Sequence, residues 1–578
     1  MNPADTPENS TGASSLANSL TSRRKVLAGS AGIAAVAVAG SAYAAGSPGG
    51  SRTLTRTNQA ATPEASPAEL PAVPPEYSDK TNWPNEGADL QETRHMQEST
   101  ISTSTIDQLG LAWFTKIDTN SGYGSLVGPP IIVGDKVYQQ DAMSNVYALS
   151  KDTGEILWTK TYNQAIPSGG PNGVAVAYGM VFYSAGIGTV HAIDAETGDD
   201  IWETDALIGP LEEGICMAPL VYDGVLYFST IPGNDKGFYL PGQRGVFHAI
   251  DVQTGATLWY WETTTDNLWG NPRVNSGGGL WHPPAVDEKG SIYLAVANAA
   301  PYPGTEEWPN GSSRPGDNPY TNNLVSLNTE TAELNWAFSV TGRDIFDHDN
   351  HLSPIPVTLT VDDQERTIVL TSGKHGFVVA ADAGSGNQLW RVAVGKHQND
   401  DLMELPADTE VEVYPGTQGG VETPMGYADG VVYVPVVNSP SYATASSIVS
   451  GQKALPTATG QLVAIDVATG KVLWDVETAS PLYGGASIVN DVVFSAGLDG
   501  VVRGFNTADG TQVFSYQTTA GINASLSLSG DYLFVPAGTI FFPSADSADP
   551  APERVPGLFA LKIGGTAELP TPEASPSA

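Results

Sequence analysis

Apolar and polar positions alternate along this chain in short bursts, and one burst recurs. Residues 464–474 read Ala-Ile-Asp-Val-Ala-Thr-Gly-Lys-Val-Leu-Trp. An apolar strand end gives way to a polar Asp-x-x-Thr-Gly turn, and a second strand then closes on an aromatic, which is a β-hairpin signature. Segments 148–158, 192–202 and 249–259 repeat it closely, and 326–336, 380–390 and 504–514 more loosely. A half copy at 559–565 has the first strand but no tryptophan. Between copies lie strands such as 131–138, 220–227 and 488–494, built around Gly-Asp, Asp-Gly and Asn-Asp turns, and no helix of ordinary length is evident. Recurrence at about 40–50 residues predicts a propeller or related array. The strand at 111–116, Leu-Ala-Trp-Phe-Thr-Lys, has nothing before it to pair with. As the last strand of the final sheet it would supply an eighth aromatic and close a ring, leaving only short, protected edges. The expected fold is all-β: an eight-bladed β-propeller closed by the N-terminal strand around Trp113. An open solenoid is the other arrangement such repeats allow. The long interval 380–464 holds one further strong strand, 431–434, and is expected to be one blade with long insertions.

The ends read differently. Residues 1–45 carry Arg23-Arg24, an alanine-rich apolar run and a small-x-small site at Ala42-Tyr43-Ala44, predicting a twin-arginine export signal. The run is short for a membrane span, so cleavage is expected rather than an anchor. Segments 46–80 and 566–578, rich in Ser, Thr, Pro and Ala, read as disordered spacers flanking a propeller over 81–565. No other apolar run reaches spanning length, so the mature chain is expected to lack a membrane span and to be periplasmic, on the cell surface or extracellular. A net charge of −37, from 63 acidic and 26 basic residues, argues against nucleic acid and suits a soluble exported protein or a basic electron carrier as partner. The one cysteine, Cys216, excludes an intrachain disulfide, a thiolate zinc site and a Cys-x-x-Cys-His haem site within this sequence.

Insertions cluster at 231–323, 343–353 and 396–459, so the middle of the chain builds one elaborated face, where function is expected. Candidate chemistry lies at Trp281, in Gly-Gly-Gly-Leu-Trp-His; at Asn298; and in Asp347-His-Asp349-Asn-His, a dense run of oxygen and nitrogen donors. In an extended segment Asp347 and Asp349 point the same way. With an amide oxygen they suit a hard cation. A solvated acidic loop, or Asp side chains capping turns, fits the same spacing.

The repeated Ala-x-Asp-x-x-Thr-Gly-x-x-x-Trp phrase, with these segments, resembles the tryptophan-docking motif of quinoprotein dehydrogenases, eight-bladed propellers that use pyrroloquinoline quinone (PQQ). The resemblance spans about 81–565. It implies that Trp281 is the floor under the quinone, Asn298 a metal ligand and Asp347 both metal ligand and catalytic base. Asp349 matches an extra aspartate of lanthanide-dependent members, and Lys374 falls where a Lys or Arg faces the quinone oxygens. The implied cofactors are PQQ and Ca²⁺ or a lanthanide. The implied substrate is an alcohol or sugar, with electrons passed to a separate carrier. Two features depart from the family. The stretch before Arg244-Gly245 has no glutamate where members carry a metal ligand, and Gly169-Gly170-Pro171 stands about where many have a cysteine pair. Glu212, Glu213 and Glu422 are candidate substitutes. Cys216, near a cofactor-contacting position, reads as core. The alternative is a non-catalytic propeller, an interaction or assembly scaffold; it predicts a filled centre with Asp347 paired to a protein cation.

Overall fold

The computed structural model describes residues 70–569, apart from 120, 167–171, 206–213, 235–236, 265–266, 317–318, 362, 450–453 and 549–552. The predicted export signal, most of the spacer before 80, Gly169 to Pro171, Glu212 and Glu213 lie outside the described residues, as does the tail beyond 569.

Each repeat folds as the hairpin its pattern predicts. Ala148, Ala249 and Ala464 pair with Trp158, Trp259 and Trp474, and the register slips by one residue immediately after each alanine. In the turn, the aspartate side chain accepts the threonine N–H: Asp194 from Thr197 at 2.8 Å, Asp251 from Thr254 and Asp466 from Thr469 at 2.9 Å. Gly470 then takes φ 72°, the left-handed conformation in which a Cβ is costly. The tryptophan ties its sheet to the next. Its indole N–H donates to a backbone carbonyl one repeat on, as in Trp202 to Val252, Trp336 to Ala383 and Trp390 to Val467, at 2.8 to 2.9 Å.

The architecture is all-β and propeller-like. Among the described residues, six sheets hold four strands and two hold five, and three smaller sheets decorate them. Leu109–Lys116 pairs antiparallel with Gly557–Ile563, so the N-terminal strand joins the last sheet of the chain. Its Trp113 donates to the Lys151 carbonyl at 2.8 Å.

Residues 83–96 cross the centre. Their backbone bonds Ile132, Val176, Val286, Tyr427 and Ile488, each in the edge strand of a different sheet. The segment thus closes one end of the space those edges surround. The interval 380–464 carries one four-stranded sheet's worth of new strands plus an addition that sequence reading missed. Val411–Val413, Ser441–Thr444 and Ser447–Val449 form a separate three-stranded sheet.

Candidate active site

Three turns converge at the other end of the centre. The first carries Trp281. Its Gly277-Gly278-Gly279 run packs backbone on backbone: a Cβ at Gly279 would lie 2.5 Å from the Thr230 carbonyl oxygen. The Gly278 N–H donates to the Asn298 carbonyl at 2.9 Å, which locks the Trp281 turn to the Asn298 segment. The second turn carries the aspartates. Asp344 shapes it by accepting from the Phe346 and His348 N–H groups at 2.9 and 3.1 Å. The third is the Gly373–Gly376 turn that carries Lys374, and Asn350 bridges to Gly373.

The side chains meet where these turns meet. The Asn298 amide donates to Asp347 Oδ1 at 2.8 Å, and the Asn298 backbone N–H donates to Asp349 Oδ1 at 2.7 Å. Lys374 Nζ lies 3.1 Å from Asp347 Oδ2 and 2.7 Å from Asp349 Oδ2. The two carboxylates therefore converge, but not as an extended segment would bring them together. Asp347 sits in a loop at φ 65°, and it is this turn that aims its carboxylate at Lys374. Asp347 and Asp349 are buried, which removes the reading of a solvated acidic loop.

Asp347, Asp349 and Lys374 border an open cavity of 530 Å³ that Trp281 also lines, while Asn298 lies behind the two carboxylates and does not line it. The centre is thus not filled by side chains, although Asp347 does pair with a protein cation. Burial raises the proton affinity of Asp347, and Lys374 opposes that shift. Burial disfavours the Lys374 ammonium, but Asp347 and Asp349 outweigh it and hold the group charged. Glu422 also faces the cavity, its carboxyl pushed up to about 8 by burial and so neutral at pH 7. Tyr239 and Tyr302 complete the wall, with rings edge-to-face at 5.5 Å. The Tyr239 hydroxyl lies 3.5 Å from Asp349 Oδ1. Sequence reasoning missed both tyrosines as site residues. Tyr239 lies in the very stretch that lacks the glutamate, and only the fold shows that its phenol turns inward.

The donor set fits a hard cation. Asn298 Oδ1 is buried and makes no hydrogen bond among the described residues, and two carboxylates lie beside it. The Lys374 ammonium already marks the cluster as a place that holds positive charge. No three His, Cys, Asp or Glu side chains converge among the described residues, so a bound cation would draw further oxygens from its ligand. The cavity, with Trp281 on its wall, fits a flat cofactor of a few rings. Cys216 is buried in the core and does not line it.

Comparison with known proteins gives the same picture. A family model described as glucose/ethanol/alcohol dehydrogenase, beta-propeller domain, matches residues 83–179 and 212–402. A second, described as outer membrane protein assembly factor BamB, matches 142–275 and 374–547. The quinohemoprotein alcohol dehydrogenase of Comamonas testosteroni is 25% identical over 513 residues, covering 77% of this chain and 70% of the relative. Its crystal structure superposes with a TM-score of 0.71 at 22% identity, covering 86% of this chain and 83% of that one. A europium-containing methanol dehydrogenase superposes with a TM-score of 0.69 at 20% identity, covering 84% of this chain and 99% of that one. The fold agrees with these structures, and the chain belongs to the PQQ-dependent alcohol dehydrogenase family.

Proposed function

We propose that this chain is an exported quinoprotein oxidoreductase, an eight-bladed propeller closed by the strand around Trp113, that oxidises an alcohol or sugar and passes electrons to a separate acceptor. One observation carries the reading: Trp281, Asp347, Asp349 and Lys374 line a single open cavity. Trp281 offers an aromatic wall to PQQ, at little entropic cost because the glycine turn holds it rigidly. Asn298, Asp347 and Asp349 would hold Ca²⁺ or a lanthanide; the paired aspartates favour the more highly charged ion. When bound, PQQ supplies the hydride acceptor. Asp347, whose burial raises its proton affinity, takes the substrate hydroxyl proton. Lys374 stays charged and stabilises negative charge that develops beside it. Delivery by the twin-arginine route, and residence in the periplasm, on the cell surface or outside the cell, follow from the Arg23-Arg24 signal and the acidic composition.

The test is reconstitution with PQQ and Ca²⁺ or La³⁺, followed by dye reduction over a panel of alcohols and sugars. Turnover that falls by about 10²-fold or more in Asp347→Ala, with folding intact, is the expected result. A second reading, a propeller that serves as an assembly scaffold, is favoured by the Asp347–Lys374 pair and by the absent glutamate. Failure to bind PQQ with any cation would decide for it.

A further inference from the structure

Behind Trp281 the cavity ends on a histidine that the proposed chemistry leaves idle. His282 lines the wall, and its Nδ1 lies 2.9 Å from Glu86 Oε1. Both side chains are almost wholly buried, at 2% and 1% exposure. A carboxylate accepts, so Nδ1 carries the proton and Nε2 keeps its lone pair. Nε2 makes no hydrogen bond among the described residues. This is the geometry of an imidazole oriented by a carboxylate to act as a base. Glu86 comes from the segment 83–96 that closes the far end of the centre, which makes the dyad a bridge between the cavity and that plug.

Glu92 is buried beside Glu86 and held by the Asn85 amide at 2.7 Å. Burial, reinforced by Glu86 and Asp89, raises its proton affinity. Asp89 lines a second hollow of 370 Å³, with Leu90, His95, Tyr222 and Asp287. Asp287 directly follows the strand Ala285–Val286, and His282 on the wall of the first cavity lies just before it, so the two hollows lie at opposite ends of that strand. The charged groups that face Glu86 are Glu92 and the buried Arg94, whose guanidinium donates to the Glu86 carbonyl. The group that faces His282 is His351, rings 5.6 Å apart, with Glu422 3.9 Å beyond it.

Oxidising an alcohol to a carbonyl releases two electrons and two protons. Asp347 takes the hydroxyl proton. The hydride carries the second, which is left in the cavity once a one-electron acceptor has removed both electrons in two steps. We propose that the Glu86–His282 dyad accepts this second proton, at His282 Nε2 on the cavity side, with the Glu86 carboxylate holding the imidazolium that forms. The inference rests on the dehydrogenase reading.

Two measurements test it. In cofactor-free protein, ¹H–¹⁵N spectra should show a downfield Nδ1–H resonance that disappears in His282→Gln and moves upfield in Glu86→Gln. In protein loaded with PQQ and cation, at saturating dye, Glu86→Gln should lower kcat about tenfold or more and change the shape of its pH profile. KM for the alcohol and the Kd for PQQ should hold, and Glu86→Asp should recover most of the rate. His282→Gln carries the same kinetic prediction should Glu86→Gln not fold. A kcat–pH profile that superimposes on wild type in the folded variant overturns the role of the dyad alone. Wild-type protein that binds PQQ yet turns over nothing overturns the dehydrogenase reading and the role of the dyad with it.

Discussion

Asp347 has a raised proton affinity because it is buried, and a nearby ammonium because the fold brings Lys374 to it. The two facts work together. Burial makes the carboxylate a better proton acceptor, and the ammonium keeps the ionised form available. Elsewhere burial acts without a partner. His248 lies inside the strand Val246–Asp251, neither ring nitrogen hydrogen-bonded among the described residues, and burial pushes it down to about 4. The unfolded chain titrates this group near 6.5, so between about pH 6.5 and 4 the unfolded state binds the extra proton. Stability is therefore expected to fall as pH drops through that window, by on the order of 3 kcal/mol in all. His248→Gln should flatten the slope of urea midpoint against pH over that range; an unchanged slope would contradict the assignment. At this scale Trp281, Asn298, Asp347 and Asp349 stood out in the sequence because each sits in a phrase too unusual to be a plain strand, whereas Lys374 was pointed to only by the family resemblance. Glu86, His282 and Tyr239 were not legible as partners, since their roles exist only once residues 83–96 cross the centre. Glu422 was visible only as a candidate: its position on the cavity wall depends on a loop inserted between two repeats.

The hairpin repeat was legible because its period and its turn agree. Asp caps the turn, Gly supplies the left-handed residue, and the aromatic falls opposite the alanine. What spacing does not reveal is the reason for the glycine beyond the turn itself. A Cβ on Gly470 would lie 2.8 Å from the Trp390 ring of the preceding repeat, and one on Gly198 2.9 Å from Trp158. The turn glycine of one sheet is thus the floor for the tryptophan of its neighbour. Gly470→Ala combines left-handed strain with that clash and should cost about 1–3 kcal/mol, read as a lower Tm. Gly430→Ala, also at positive φ but with open space around its Cβ, should cost only the conformational part, about 1 kcal/mol. Equal losses at the two positions would contradict the packing role. The three-stranded sheet over 411–449 went unread because its strands are only three or four residues long, too short amid loop for a period-two pattern to stand out.

At the scale of the molecule, one strand joins the two ends of the described chain. Trp113, 6% exposed, packs its ring on Gly154 of the first repeat while its strand pairs with Gly557–Ile563 of the last. Trp113→Ala removes a large buried ring, a loss of about 3–5 kcal/mol. Because that contact joins first sheet to last, the loss should lower the main unfolding transition as a whole; a small early transition with the main one unmoved would contradict that role. The enclosed space serves a second purpose: its edges bring residues from positions 122 to 542 around one cavity. The most direct measurement is a titration of the purified chain with PQQ in the presence and absence of Ca²⁺ or La³⁺, followed by quenching of tryptophan fluorescence. Saturable binding of one PQQ per chain that needs the cation, and that weakens at least tenfold in Trp281→Ala and in Asp349→Ala, is the predicted result. No saturable binding with either cation, or binding that ignores both substitutions, would contradict it.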